Sequence, residues 1–154
     1  MASSHTIQLD GDVPGDFRRE EAIGSGALVP GYLVEKFVSG DGAVRAHSVE
    51  GGRGLVMVAI EDALQGKTLM DAYADGDKVQ YNIQRPGTRF LGVLKVGETV
   101  LIGDELISAG DGTLIKASSA SSGTTIQKVM AIAEEDLDLT VSDATDNYLI
   151  CRAC

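Results

Sequence analysis

The side chains able to do chemistry are few in this chain, and they are poorly spaced for it. Acyl transfer needs a nucleophile, a base and a group that orients the base, and the chain has only two histidines, His5 and His47. His5 lies in a polar terminus. His47 is followed by Ser48, and in a strand neighbouring side chains leave on opposite faces, so the two do not read as a nucleophile and base. The runs Glu61-Asp62 and Glu134-Glu135-Asp136 each close an apolar stretch, which fits solvated strand ends better than hydrolytic carboxylates. Asp41, Asp75, Asp77 and Asp111 sit next to glycines, where aspartate is a turn residue, and no segment spaces its oxygens as an EF-hand loop does. Gly51-Gly52-Arg53-Gly54 lacks the lysine that follows the final glycine of a phosphate-binding loop. Lys67, Lys78, Lys95, Lys116 and Lys128 lack the flanks of a lipoyl or biotinyl carrier hairpin. The chain therefore reads as a protein that is not an enzyme, with no cofactor and no metal.

Two cysteines close the chain as Cys151-Arg152-Ala153-Cys154. In an extended strand, residues three apart have Cα atoms roughly 10 Å from each other, too far for an unstrained disulfide, so mutual pairing would require a turn. Two readings stay open. Either the thiols are free, with Cys151 filling a strand position, or Cys151, Cys154 or both form intermolecular disulfides in an oxidising environment.

The elements that must position these residues are announced by a duplication. Pro30 to Val34, the turn Gly40-Asp41-Gly42, and Val44 to Ser48 return as Gly103 to Ile107, the turn Gly110-Asp111-Gly112, and Leu114 to Ser118. Each copy is followed by a second echo, Val56 to Asp62 and then Val129 to Asp136. Glycines in such turns supply the positive φ of a tight hairpin. A repeated strand, hairpin and strand predicts one closed β structure built of two related halves, with the second echoes as its central strands. Val79, Tyr81 and Ile83 alternate with polar neighbours as a half-exposed strand does. Between the halves, Thr68, Leu69, Asp71, Ala72 and Tyr73 predict a short helix of one or two turns over 66–74. Ser118 to Thr125 reads as a surface loop, and Leu137–Val141 and Tyr148–Cys151 as a last pair of strands.

Residues 1–20 are polar, with Ile7, Leu9, Val13 and Phe17 as their apolar positions. They read as an N-terminal arm preceding a β domain over 21–154 whose tail carries the cysteines. The arm is either a disordered tail or a segment that orders on a neighbouring subunit, with Ile7 and Leu9 as a strand and Phe17 as an anchor. Phe17, Arg18 and Arg19 are the first candidates for contact with a partner, combining an apolar anchor with the strongest local positive charge.

Composition narrows the function classes. The 154 residues include 19 glycines, no tryptophan and few aromatics, which suits many short strands. The formal charge of -10 argues against nucleic-acid binding. Nothing approaches the roughly 18 apolar residues of a membrane span, and the first residues lack the basic and apolar regions of a secretory signal, so folding in a cytoplasm is expected.

From Pro30 to Ala117 the sequence resembles a family of tailed-bacteriophage head decoration proteins. The resemblance rests on Pro30-Gly31-x-Leu33-Val34, Gly40-Asp41-Gly42-x-Val44-Arg45-x-His47-Ser48, Val58 to Asp62, Asp71-Ala72-Tyr73 with Gly76-Asp77-x-Val79, and Gly103-Asp104-x-Leu106-Ile107-Ser108 with Gly110-Asp111-Gly112-x-Leu114. It implies a compact β-barrel or β-tulip-like domain, usually a homotrimer, that sits on the exterior of a bacteriophage capsid and ties neighbouring major capsid protein subunits together. On that reading the protein is a structural virion component assembled in the bacterial host cytoplasm, and disulfides through Cys151 or Cys154 would reinforce the mature particle. The family brings no catalytic residues. A phage tail, baseplate or fibre adaptor, or a non-viral β-type binding module, is the alternative.

Overall fold

The computed structural model describes residues 6–10, 17–37, 42–120, 127–140 and 146–154. His5, Asp41, and the greater part of the Ser118 to Thr125 loop fall outside them. The chain is mainly β, with twelve strands among the described residues: β1 Phe17–Ser25, β2 Val34–Phe37, β3 Ala43–Ala46, β4 Met57–Ala59, β5 Lys78–Gln84, β6 Arg89–Val93, β7 Thr99–Val100, β8 Glu105–Ser108, β9 Leu114–Lys116, β10 Ala131–Ala133, β11 Leu137–Asp138 and β12 Tyr148–Ala153.

The duplication appears as two five-stranded sheets. The first has the order β2-β3-β1-β5-β4 and the second β6-β12-β10-β8-β9. The repeated hairpins are β2 with β3 and β8 with β9, both antiparallel and each at a sheet edge. The second echoes diverge, because β10 is the central strand of its sheet whereas β4 is an edge strand. The expectation of two central strands is therefore corrected for the first half. There β1 takes the middle, antiparallel to β5 over Phe17 to Ile23 and parallel to β3 over Ile23 to Ser25.

The ladders do not close into a barrel, yet each sheet curls until single bridges link its edges. In the first half Leu33 bridges Val58, and the Gly31 N–H donates to the Ala59 carbonyl at 2.8 Å. In the second half Leu94 bridges Leu114. The expected single closed structure is thus two curled sheets packed together. The largest core cluster draws on both, with Leu33, Val58, Phe90, Leu106, Leu114, Met130 and Leu149. A smaller cluster fills the first sheet, including Leu28, Val34, Val44, Met57, Tyr73 and Tyr81. Each such side chain contributes roughly 1.5–3 kcal/mol on burial.

The hairpins also join the halves to each other. Gly112 donates its N–H to the His47 carbonyl at 3.3 Å and accepts from the Leu33 N–H at 2.8 Å, while Glu50 bridges Ala109. Across the same junction the Tyr148 hydroxyl lies 3.0 Å from the Pro30 carbonyl and 2.9 Å from that of Leu69.

The helix expected over 66–74 is a turn instead. Asp71 Oδ2 accepts from the Thr68 N–H at 2.7 Å and the Thr68 hydroxyl at 2.9 Å, and the Asp71 N–H returns to the Thr68 carbonyl. This local side-chain bonding serves a turn as readily as a helix end. What decides is Tyr73, which pairs with Leu28 through two backbone hydrogen bonds and buries its ring, its hydroxyl donating to the Ile60 carbonyl at 2.7 Å. The helical content of the described residues is two single-turn 3-10 helices, Ala63–Gln65 and Ala117–Ser119.

The boundary drawn at residue 20 falls within β1. Ile7 is fully buried in the core, and the segment around it runs along edge strand β6, with Gln8 bridging Phe90. The last pair of strands forms, but with other partners: β11 lies against β7, and β12 between β6 and β10.

Candidate functional site

Of the candidate chemical residues, His47 and Ser48 meet in one place, at the end of β3. The chain leaves the strand after Ala46, so alternation no longer separates His47 from Ser48, and both side chains reach Glu35 on β2. The Ser48 hydroxyl donates to Glu35 Oε1 at 2.7 Å, where the Arg45 Nε–H also donates at 2.8 Å. His47 Nε2 lies 3.8 Å from Glu35 Oε2. Burial raises the Glu35 carboxyl, but the hydrogen bonds from Ser48 and Arg45 outweigh it and hold the group below the usual carboxylate range. A carboxylate stands between hydroxyl and imidazole, an order opposite to that in which a histidine activates a serine. Glu35 had a sequence signal, since it directly faces Arg45 across the hairpin.

The other acidic candidates have structural partners. Glu61 Oε2 accepts from the Ile7 N–H at 3.1 Å, and Asp62 accepts from the buried Gln80 amide at 3.1 Å. Glu134 pairs with Arg152, Glu135 accepts from the Ile150 N–H, and Asp136 from the Ile102 N–H. Asp75 and Asp77 receive backbone N–H groups of Gly26 and Ala74, and Asp111 that of Thr113, as turn aspartates do. No cluster of three or more metal-ligating side chains occurs among the described residues.

The two cysteines part company. Cys151 faces the core from β12 and is fully buried, and burial pushes its thiol far up. Cys154 is exposed, and its thiol is also raised, by partial burial and by the nearby Glu105. Both are free, and a disulfide from Cys151 to another chain would require β12 to open. Alternation along β12 carries this signal, because Leu149, Cys151 and Ala153 share the buried face.

The candidates for partner contact, Phe17, Arg18 and Arg19, lie on β1. Phe17 starts the strand opposite Gln84. Arg18 and Arg19 are exposed, Arg18 pairing with Glu20 at 3.0 Å, whereas Arg19 has no ion pair among the described residues. Glu20 also takes Lys36 at 2.7 Å and the Tyr81 hydroxyl at 2.8 Å, and these bonds keep its carboxyl below its ordinary range. Several large apolar side chains remain open, notably Leu64, Met70, Val96, Leu101 and Ile102.

What fold and site define together is a mainly β body of two curled, hairpin-linked sheets whose acidic candidates are engaged in turns and ladders. No protein-family model matches the chain, and no curated protein does. Among solved structures it is similar to the one described as the crystal structure of head fiber gp8.5 N base in bacteriophage phi29, with a TM-score of 0.57 and 14% identity over 90% of this chain and 94% of that one. At that identity the likeness is one of fold.

Proposed function

We propose that the protein is a structural virion component that binds the outer surface of a bacteriophage capsid and stabilises it by bridging coat subunits. The observation that carries this reading is the fold shared, almost end to end, with the base of a phage head fibre. The resemblance of Pro30 to Ala117 to head decoration proteins points the same way. The arrangement at Glu35 supports a non-enzymatic role, since the lowered pKa of its carboxyl makes it a weaker base and His47 is not bonded to Ser48.

On this reading a homotrimer engages the major capsid protein at several points, so that individually weak contacts sum through multivalency. Arg19 and Arg18 on β1 supply charge to the coat contact, and the open side chains Leu64, Met70, Leu101 and Ile102 supply apolar area to coat or subunit contacts. Cys154 is the thiol that would crosslink subunits, at a rate slowed by its raised pKa. Heads produced with and without the protein test the reading. Those lacking it should lose DNA at a lower temperature and recover when purified protein is added back. Heads that bind none of the added protein would refute it.

A further inference from the structure

The open end of the curled first sheet holds a cavity of about 280 Å3. Its floor is apolar, formed by Val34, Met57 and Ile83, which continue into the core of that sheet, and the exposed Leu55 lines its wall. His47 is among the residues that line it. The imidazole is only 2% exposed, yet neither ring nitrogen has a hydrogen-bond partner among the described residues. A buried polar group is costly to leave unpaired, and the cavity is the place where a partner can stand. The Gly52 to Gly54 backbone passes close to the ring: a Cβ on Gly52 would lie 2.9 Å from His47 Cε1, and one on Gly54 would lie 3.8 Å from Nε2.

The charges around the cavity decide what that partner is. Glu35 is balanced by Arg45 at 2.8 Å, and Lys36 by Glu20 at 2.7 Å, so these pairs contribute little net field. Glu20 in turn carries Arg18 at 3.0 Å. Arg53, the remaining ion on the lining, has no ion pair among the described residues. The donors without a hydrogen-bond partner are therefore an imidazole N–H, with Glu35 Oε2 3.8 Å from Nε2, and the Arg53 guanidinium, placed over an apolar floor. A carboxylate on a short apolar body matches both parts, with charge-assisted hydrogen bonds at one end and aliphatic burial at the other. We propose that this cavity is a binding site for a small apolar monocarboxylate. The site acts locally, since the chain as a whole carries a charge of -10 and repels anions at long range. It does not depend on the capsid reading.

The test is an NMR titration of the purified chain with hexanoate, hexanol and hexylammonium, following the His47 ring protons and the methyls of Leu55 and Met57. Hexanoate should shift all three sets saturably, with a Kd on the order of millimolar. Hexanol should bind at least about tenfold more weakly, and hexylammonium should leave the ring unmoved. Arg53→Gln, at an exposed position, should weaken hexanoate by about tenfold while preserving the amide spectrum. His47→Gln should weaken it further. Unmoved His47 protons under hexanoate would mean a cavity that holds only water, and would overturn the proposal. So would equal binding of the alcohol or the amine, or an unchanged Kd in Arg53→Gln.

Discussion

The two Gly-Asp-Gly turns share a sequence, and the structure predicts that their last glycines are far from equivalent. Gly42 has φ of 80° and Gly112 of 89°, a region where an L residue is strained. Alanine there costs about 1–2 kcal/mol in backbone energy, offset by about 0.4–1 kcal/mol from the stiffer unfolded chain. A Cβ on Gly42 would meet nothing within 4 Å, so Gly42→Ala should cost only about 0–1.6 kcal/mol. On Gly112 it would lie 2.7 Å from Tyr32 Cδ2, 3.0 Å from Tyr32 Cγ and 3.1 Å from Ala46 Cβ. Overpacking of this kind adds about 1–3 kcal/mol, which brings Gly112→Ala to about 1–4.6 kcal/mol. The Gly112 backbone cannot simply step aside, because it exchanges hydrogen bonds with His47 and Leu33 at the junction of the two halves. Urea unfolding of both variants and the parent, extrapolated linearly with a common slope, reads the difference. Equal losses in the two variants, or a loss under about 1 kcal/mol for Gly112→Ala, would refute the claim that the second hairpin is wedged against the first half.

Three further outcomes are expected. Burial pushes the phenols of Tyr73 and Tyr148 from 10.0 up to about 12, so the unfolded chain loses those protons first; stability is intact below pH 10 and falls toward pH 12. Discounted for solvent access, the loss is about 1–2 kcal/mol per tyrosine; urea midpoints should drop across that window, less so in Tyr148→Phe, and a flat profile would contradict the burial. Cys151→Ser should cost about 1–3 kcal/mol by placing a hydroxyl in the core, whereas Cys154→Ser should leave the melting temperature unchanged and remove any crosslinked band from a non-reducing gel of particles. Arg19→Glu should lower the amount of protein bound to heads without altering the urea midpoint, and undiminished binding would take β1 out of the coat contact.

The hairpins were legible because glycine turns flanked by apolar runs leave little choice of structure, and both copies fold as such. The central strand β1 was not. Phe17–Ser25 carries Arg18, Arg19, Glu20 and Glu21, with no apolar alternation to announce it, and it is held by ladders on both sides and by cross-strand bonds from Glu20 to Lys36 and Tyr81. Those partners are 16 and 61 residues away, beyond any local signal. Thr68 and Asp71 misled for a different reason, since their mutual hydrogen bonds fit a helix start and a turn alike, and the pairing of Tyr73 with the distant Leu28 settled the matter. The cavity beside His47 was equally hidden. It depends on sheet curvature that brings β2, β4 and β5 around one opening, although Glu35 opposite Arg45 could be read from the hairpin register.

The proposed role as a brace on the outside of a phage head is tested by a density map of intact heads carrying the protein. On that role, a two-sheet body is expected on the outer face, in contact with more than one coat subunit and with the Arg19 side of β1 toward the shell. A map in which that body is absent from the exterior, or touches a single coat subunit, would contradict it.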